Sequence, residues 1–318
     1  MNPADIHIIE TIVAFAMVVG LAIFLKRENI VKKEDAALFA RLMTTVVLPG
    51  VIFFQFLKHP PAARHTLPIL AMLGSGCGTL LAAWAAAKLL GLSRPKTGAL
   101  MIVSAFGSSS LLGYPMIQYT FPHDPAAMTE AILISELAVG LPIFILCPLV
   151  AMHFGETSDS AGSIKKTILQ YFRSPIFIAV VLGLLVSQMH LPLKSALFVP
   201  LMDASKMVDG TLACLACLIL GLQIEVPSLR AILPMVGISA VLQMGLQPLL
   251  AYGQAILYGL GDMERQVLVL VASLPSAVLG PVFAVRYKCE GEMASAVTFA
   301  NILLAVVVVP LTFWILGG

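Results

Sequence analysis

Charge is what this sequence has least of. Asp, Glu, Lys and Arg make up 11% of 318 residues, and the formal net charge is only +2. That balance gives no reason to invoke nucleic acid, and a soluble globular domain carries about 25% charged residues. Cysteine is scarce too: the five thiols (77, 147, 214, 217 and 289) are odd in number, and all but Cys289 lie inside apolar runs. No disulfide framework is expected from such a set. Cys214 and Cys217 have CxxC spacing but sit between Leu212-Ala213 and Leu218-Ile219, where a small-residue packing face is the better reading. There is no nucleotide-binding loop and no large soluble domain, which argues against ATP-driven transport by this chain alone. No cofactor or metal site is expected.

What is abundant is hydrocarbon: 59% of residues are hydrophobic and mean hydropathy is +0.97. Apolar runs of about 20 residues cross a ~30 Å bilayer core as helices, so a multi-pass membrane protein is expected. Ten candidate spans follow, at 6–25, 36–57, 67–90, 97–120, 126–152, 174–190, 197–224, 231–259, 266–286 and 292–315. Lys26-Arg27 follow the first span rather than precede it, the wrong polarity for a cleavable signal peptide. The longest polar connection, 153–173, includes Gly155–Ser163 and the amphipathic Ile164–Phe172, and it divides a first half (1–152) from a second (174–318).

Five spans per half is an odd number, so a second copy of the same unit must enter the membrane from the opposite side. Adding 167 to spans 36–57, 67–90 and 97–120 gives 203–224, 234–257 and 264–287, close to the second-half segments. Two inverted repeats are therefore expected. Of the nineteen Lys and Arg, thirteen lie in loops after odd-numbered spans, Lys26, Arg27, Lys165, Lys166 and Arg173 among them. Four lie on the other side (Lys58, Arg64, Lys194 and Arg265), and Arg41 and Lys206 lie within spans. Cytoplasmic loops carry the positive excess, so both termini should face outward and the linker should be cytoplasmic.

Two apolar segments cannot be unbroken helices: Gly107-Ser108-Ser109-Ser110-Leu111-Leu112-Gly113-Tyr114-Pro115, and Leu274-Pro275-Ser276-Ala277-Val278-Leu279-Gly280-Pro281. The 167-residue offset brings Ser109 onto Ser276 and Gly113 onto Gly280. Proline removes a backbone donor and glycine frees the dihedrals, so each span should split into half-helices with unpaired backbone groups. In lipid these are tolerated only around a protein-lined cavity. Broken segments at matching places in two halves point to a transporter site near the midplane. Ser108, Ser109, Ser110, Gly113, Pro115, Pro275, Ser276, Gly280 and Pro281 are the candidate substrate-binding residues.

Ionisable groups deep in a span are costly and therefore informative. Glu136 lies near the middle of span five; it reads either as a substrate, proton or cation group or as an interhelical hydrogen bond. Glu10 and Glu130 are about a turn from an end and can snorkel. Asp203, Lys206 and Asp209 share span seven at one- to two-turn spacing. A local ion pair is the plainer reading there, and Asp203 and Asp209 stand beside Glu136 as coupling candidates. Arg41 could hold a carboxylate or snorkel. Gln243 and Gln247, at i, i+4, read as helix-joining residues, as do Thr298 and Asn301.

At these residues the chain resembles the auxin efflux carrier family, the bacterial relatives of plant PIN transporters, within the bile-acid/arsenite/riboflavin transporter superfamily. The family pattern Phe-Gly-Asn, small residues, then Leu-Gly-x-Pro is matched by Phe106-Gly107-Ser108 through Leu112-Gly113-Tyr114-Pro115. Leu48-Pro49-Gly50-Val51-Ile52-Phe53, Leu218-Ile219-Leu220-Gly221-Leu222, Pro275-Ser276-Ala277 and Ala284-Val285-Arg286-Tyr287 are similar too. The resemblance implies an all-α fold of ten transmembrane helices, with spans four and nine broken and crossing at the site. It also implies an elevator-like cycle between a scaffold and a transport domain, commonly in a dimer in the cell membrane. Family substrates are organic anions such as malate, malonate and auxin. Ser108 replaces the family asparagine, and the plant NPxxY form is absent, so auxin is not carried over.

The expected function is secondary transport of small mono- or dicarboxylates, coupled to H+ or Na+ or to neither. An intramembrane enzyme using Ser108–Ser110 as nucleophile is the alternative from another class. It lacks a base, since the six His fall near segment ends or in loops. A membrane sensor is a third reading, and no output module follows span ten.

Overall fold

A computed structural model describes residues 14, 17–32, 34–60, 65–155, 169, 172–189, 192–193, 195, 198–223 and 232–316. Most of the linker, including Ser158, and half of the first span, including Glu10, lie outside them. Within the described residues every expected span coincides with helix, and no strand occurs. Helix α1 covers 17–27. Then α2 (Asp35–Leu42) passes through a π-helical turn (Met43–Val47) into α3 (Leu48–Lys58). Next come α4 (Thr66–Leu89) and α5 (Arg94–Ala105), then a break, a π turn (Ser109–Gly113) and α6 (Tyr114–Thr120). The first half ends with α7 (Pro125–Leu133), a π segment (Ile134–Gly140) and α8 (Leu141–Phe154).

Among the described residues, five further helical segments follow the linker. They run α9 (Pro175–Ser187), α10 (Val199–Gln223), α11 (Leu233–Ala240), a π turn (Val241–Leu246) and α12 (Gln247–Leu257). They close with α13 (Asp262–Ala272), a second break, α14 (Leu279–Arg286) and α15 (Gly291–Leu316). By length and composition, Thr66–Leu89, Pro125–Phe154, Leu233–Leu257 and Gly291–Leu316 can each cross a membrane.

The four π turns have one local cause. Pro49, Pro115, Pro142 and Pro248 each stand at the second residue after such a turn. A proline inside a continuous helix cannot donate to the carbonyl four residues back and its ring crowds that carbonyl, so the preceding turn widens. Widened turns of this kind gather at functional sites.

The helices pack in two groups. In one, α3 lies along α9, and α10 lies along α2 and α3. In the other, α4 packs on α5 and α12, α5 on α8, α12 on α13, and α14 on α8 and α15. Between the groups contacts are sparser, chiefly α10 with α6 and α3 with α7.

Candidate functional site

The two breaks meet. Helix α5 ends as Phe106 turns extended (φ −128°, ψ 117°), and α13 ends at Ala272. The Ser108 N–H donates to the Pro275 carbonyl at 2.8 Å, and the Ala277 N–H donates to the Phe106 carbonyl at 2.7 Å. This forms a single antiparallel rung between Gly107 and Ser276. Each break thus pairs backbone groups that the other has orphaned. Gly107 makes the approach possible: a Cβ there would fall 3.3 Å from both Gln243 Nε2 and the Leu274 carbonyl.

Two glutamines brace the crossing. Gln243 Nε2 donates to the Leu274 carbonyl at 3.2 Å, and Gln247 Nε2 donates to the Ala105 carbonyl at 3.4 Å. Gln243 Nε2 also donates to Gln247 Oε1 at 2.7 Å. Both side chains are buried. The helix-joining reading of this pair was correct but incomplete, because what they join are the ends of the two broken helices.

Beside the crossing lies a cavity of about 460 Å³. One wall comes from the first helix group: Met43, Thr44, Thr45 and Leu48, with Ser174–Ile176 and Ile219. The other comes from the second: Gly107–Ser110, Ala277–Leu279, and Glu136 with Val139, Gly140, Ile143 and Phe144. Among the described residues no Lys, Arg or His lines it. Three of the four π turns supply wall residues. Glu136 is buried and accepts hydrogen bonds at Oε1 from the Tyr114 hydroxyl at 2.5 Å and the Ser110 hydroxyl at 3.3 Å. Ser135 donates to the Ser109 hydroxyl at 2.6 Å.

Of the sequence candidates, the structure brings Ser108, Ser109, Ser110 and Glu136 to the cavity. Pro275 contributes its carbonyl to the rung, and Ser276 is buried with its hydroxyl on the Val103 carbonyl. Gly113 and Gly280 do not line the cavity; each lies against the other broken helix. A Cβ at either would come within 2.8 Å of a side chain, Leu274 Cδ1 for Gly113 and Ile102 Cγ2 for Gly280. Pro115 and Pro281 are buried in α6 and α14, off the cavity wall.

Asp203 and Asp209 are not at the cavity. Asp203 pairs with Lys206 at 2.9 Å, the local pair expected, whereas Asp209 reaches Lys58 of α3 at 3.6 Å. Arg41 is exposed and lies off the cavity wall. Glu130 does not snorkel: it is fully buried and bonded to His65 at the start of α4, so a partner in the protein replaces the headgroup water. The five cysteines are free, Cys214 and Cys217 included. Thr44, Thr45 and Ser174 escaped the sequence reading. Pro49 was the available signal for the threonines, since it widens the turn that carries them.

Two broken helices crossing beside a cavity, among helices apolar enough to cross a membrane, fit a multi-pass membrane transporter. The chain belongs to the membrane transport protein family, that of the auxin efflux carriers, whose family model matches residues 7–315. It is 25% identical over 308 residues to an uncharacterised transporter of Methanothermobacter thermautotrophicus, covering 95% of this chain and 96% of that one. It is 23% identical over 322 residues to an uncharacterised transporter of Methanocaldococcus jannaschii, covering 99% of each.

Proposed function

We propose that the protein is a secondary transporter of small organic anions, mono- or dicarboxylates, with the substrate bound in the cavity beside the crossover. One observation carries the reading: the cavity lies on the boundary between the two helix groups and receives the starts of both second half-helices, at Ser109–Ser110 and Val278–Leu279. Helix N-termini offer free N–H donors and partial positive charge, which suits a carboxylate where no cationic side chain is at hand. The serine hydroxyls add neutral donors.

The sparse contact between the groups supports an elevator-like cycle, with α2, α3, α9 and α10 as the frame and the crossover helices as the moving body. Ten spans in two inverted repeats, both termini outside, a cytoplasmic linker and a dimer in the bacterial inner membrane complete the reading. Glu136 is the coupling group for H+ or Na+; Asp203 and Asp209 are paired elsewhere and have the weaker claim.

The test is uptake of radiolabelled carboxylates by proteoliposomes under imposed proton and sodium gradients. Saturable uptake of at least one carboxylate is expected. Transport of neutral or cationic solutes with no carboxylate accepted would overturn the reading.

A further inference from the structure

The two helix groups are bonded to each other away from the cavity, where the end of α3 meets the start of α7. Gln55 Nε2 donates to the Pro125 carbonyl at 2.7 Å and to the Thr129 hydroxyl at 3.3 Å. Thr129 is buried, and its own proton goes to the His59 carbonyl at 3.3 Å. A hydroxyl can accept and donate at once, so one short chain of bonds runs from α3 through α7 and back to α3.

The cavity lies on the same side of this chain along both of its walls. On the frame, Leu48 comes about 10 Å of helix before Gln55, and on the facing wall Val139 comes about 15 Å after Thr129. Pro125–Phe154 is long enough to cross the membrane, and its far end leads into the linker. Ser174–Ile176, where the chain re-enters helix after the linker, line the cavity too. The cavity therefore reaches the linker end of the boundary, and the bonded chain closes the opposite end.

The bonds of this chain are neutral, whereas the charged side chains beside it are spent within their own group. Lys58, one turn after Gln55, is held on α10 by Asp209 at 3.6 Å and by Ser205 at 3.0 Å. Glu130, next to Thr129, is held by His65 at the start of α4. Burial and the Lys58 charge keep His59 below its ordinary pKa, so it is uncharged at neutral pH and adds no ionic attraction to Asp124 at the start of α7. A neutral bond at an exposed end exchanges for water at little net cost, while parting a buried charged pair is expensive. We propose that Gln55, acting with Thr129, is a latch of the transport cycle: it holds the cavity shut on the side away from the linker, and its bonds part when the site turns to that side. The inference rests on the transport reading above but not on which solute is carried.

The test is the reaction of a cysteine placed at Ser110, on the crossover wall of the cavity, in the full chain after Cys77 and Cys214 are replaced. An impermeant thiol reagent is applied to membrane vesicles of each orientation, and labelling of a separate Ser158→Cys variant defines the linker side. With Gln55 intact, Ser110→Cys is expected to react from the linker side. Adding Gln55→Ala removes two bonds across the boundary and should raise reaction from the opposite side roughly tenfold. Gln55→Glu keeps the shape but lacks the amide donors, and it carries the test if Gln55→Ala does not fold. Thr129→Val leaves the Pro125 carbonyl to Gln55 and should raise that reaction only several-fold. The readout needs no substrate, so rejection of every carboxylate in the uptake assay would remove the substrate class and leave the latch standing. Unchanged labelling in the folded Gln55 variants would overturn the latch. Reaction equally from both sides, or from the side away from the linker alone, with Gln55 intact would overturn it as well.

Discussion

The Ser135 hydroxyl donates to the Ser109 hydroxyl at 2.6 Å, tying the first break to the following helix across 26 residues of sequence. The second break is tied in the same way: Asn301 donates to the Ser276 hydroxyl at 2.8 Å across 25 residues. The 167-residue offset carries Ser109 to Ser276 (109 + 167 = 276) and Ser135 to Ile302, one residue past Asn301. The two braces thus fall within one residue of that offset.

The two braces should differ in strength. Ser135→Ala removes one neutral hydrogen bond, worth about 1 kcal/mol. Asn301→Ala removes two, and leaves a gap, so about 2–3 kcal/mol is expected. Denaturant unfolding in detergent would rank them. Equal effects would mean that the second brace has no special weight.

Packing at the crossing is least forgiving at Gly280. Its neighbour Ile102 Cγ2 sits on a stiff, branched β-carbon, whereas Gly113 faces the movable tip of Leu274. Gly280→Val should cost more than Gly113→Val, within the roughly 1–3 kcal/mol typical of overpacking. Both should weaken substrate binding by displacing the rung. Wild-type affinity in two folded, membrane-inserted variants would place the site elsewhere, with Arg41 and the Asp203–Asp209 stretch next to examine.

Glu136→Gln removes the charge while preserving an acceptor for Tyr114. Uptake should lose its dependence on pH or on the coupling cation. Tyr114→Phe deletes one hydrogen bond to Glu136, on the order of 1 kcal/mol, and should alter the same dependence without abolishing uptake. If uptake, pH dependence and cation dependence all stay unchanged in Glu136→Gln, the residue is an interhelical hydrogen bond and nothing more.

Topology can be tested with a cysteine placed at Ser158, after Cys77 and Cys214, which are exposed, are removed. Cys289 can stay: it is buried, and burial pushes its thiol up to about 12, so little thiolate exists at pH 8 to react. An impermeant reagent should reach residue 158 from the cytoplasmic side only. Labelling from outside intact cells would reverse the assigned orientation.

How much was legible in the sequence depends on how local the cause is. Helix positions could be read because a bilayer fixes span length, and the breaks because Gly107 and Pro275 interrupt a helix. The partners of polar residues could not be read. Nothing in Gln243 or Gln247 names the carbonyl it will reach, and the depth of Glu130 gave no hint of His65. Asp209 looked like a partner for Lys206 until α3 placed Lys58 beside it. Pairings across helices are set by packing, and spacing along one helix does not encode them.

The widened turns bear on how this chain tolerates insertions and deletions. Each holds one residue beyond what an α-helix needs, so removing a residue from Met43–Val47 or Ile134–Gly140 leaves a continuous helix rather than a wound. The residues on either side stay in phase, because the wide turn has already absorbed the extra residue, whereas the same deletion in a plain α-helix rotates everything beyond it by about 100°. For Ile134–Gly140 a deletion would therefore keep Ile143 and Phe144 on the cavity wall and remove only the local widening around Glu136. A gap of one residue is thus a smaller change in these turns than elsewhere in the helices.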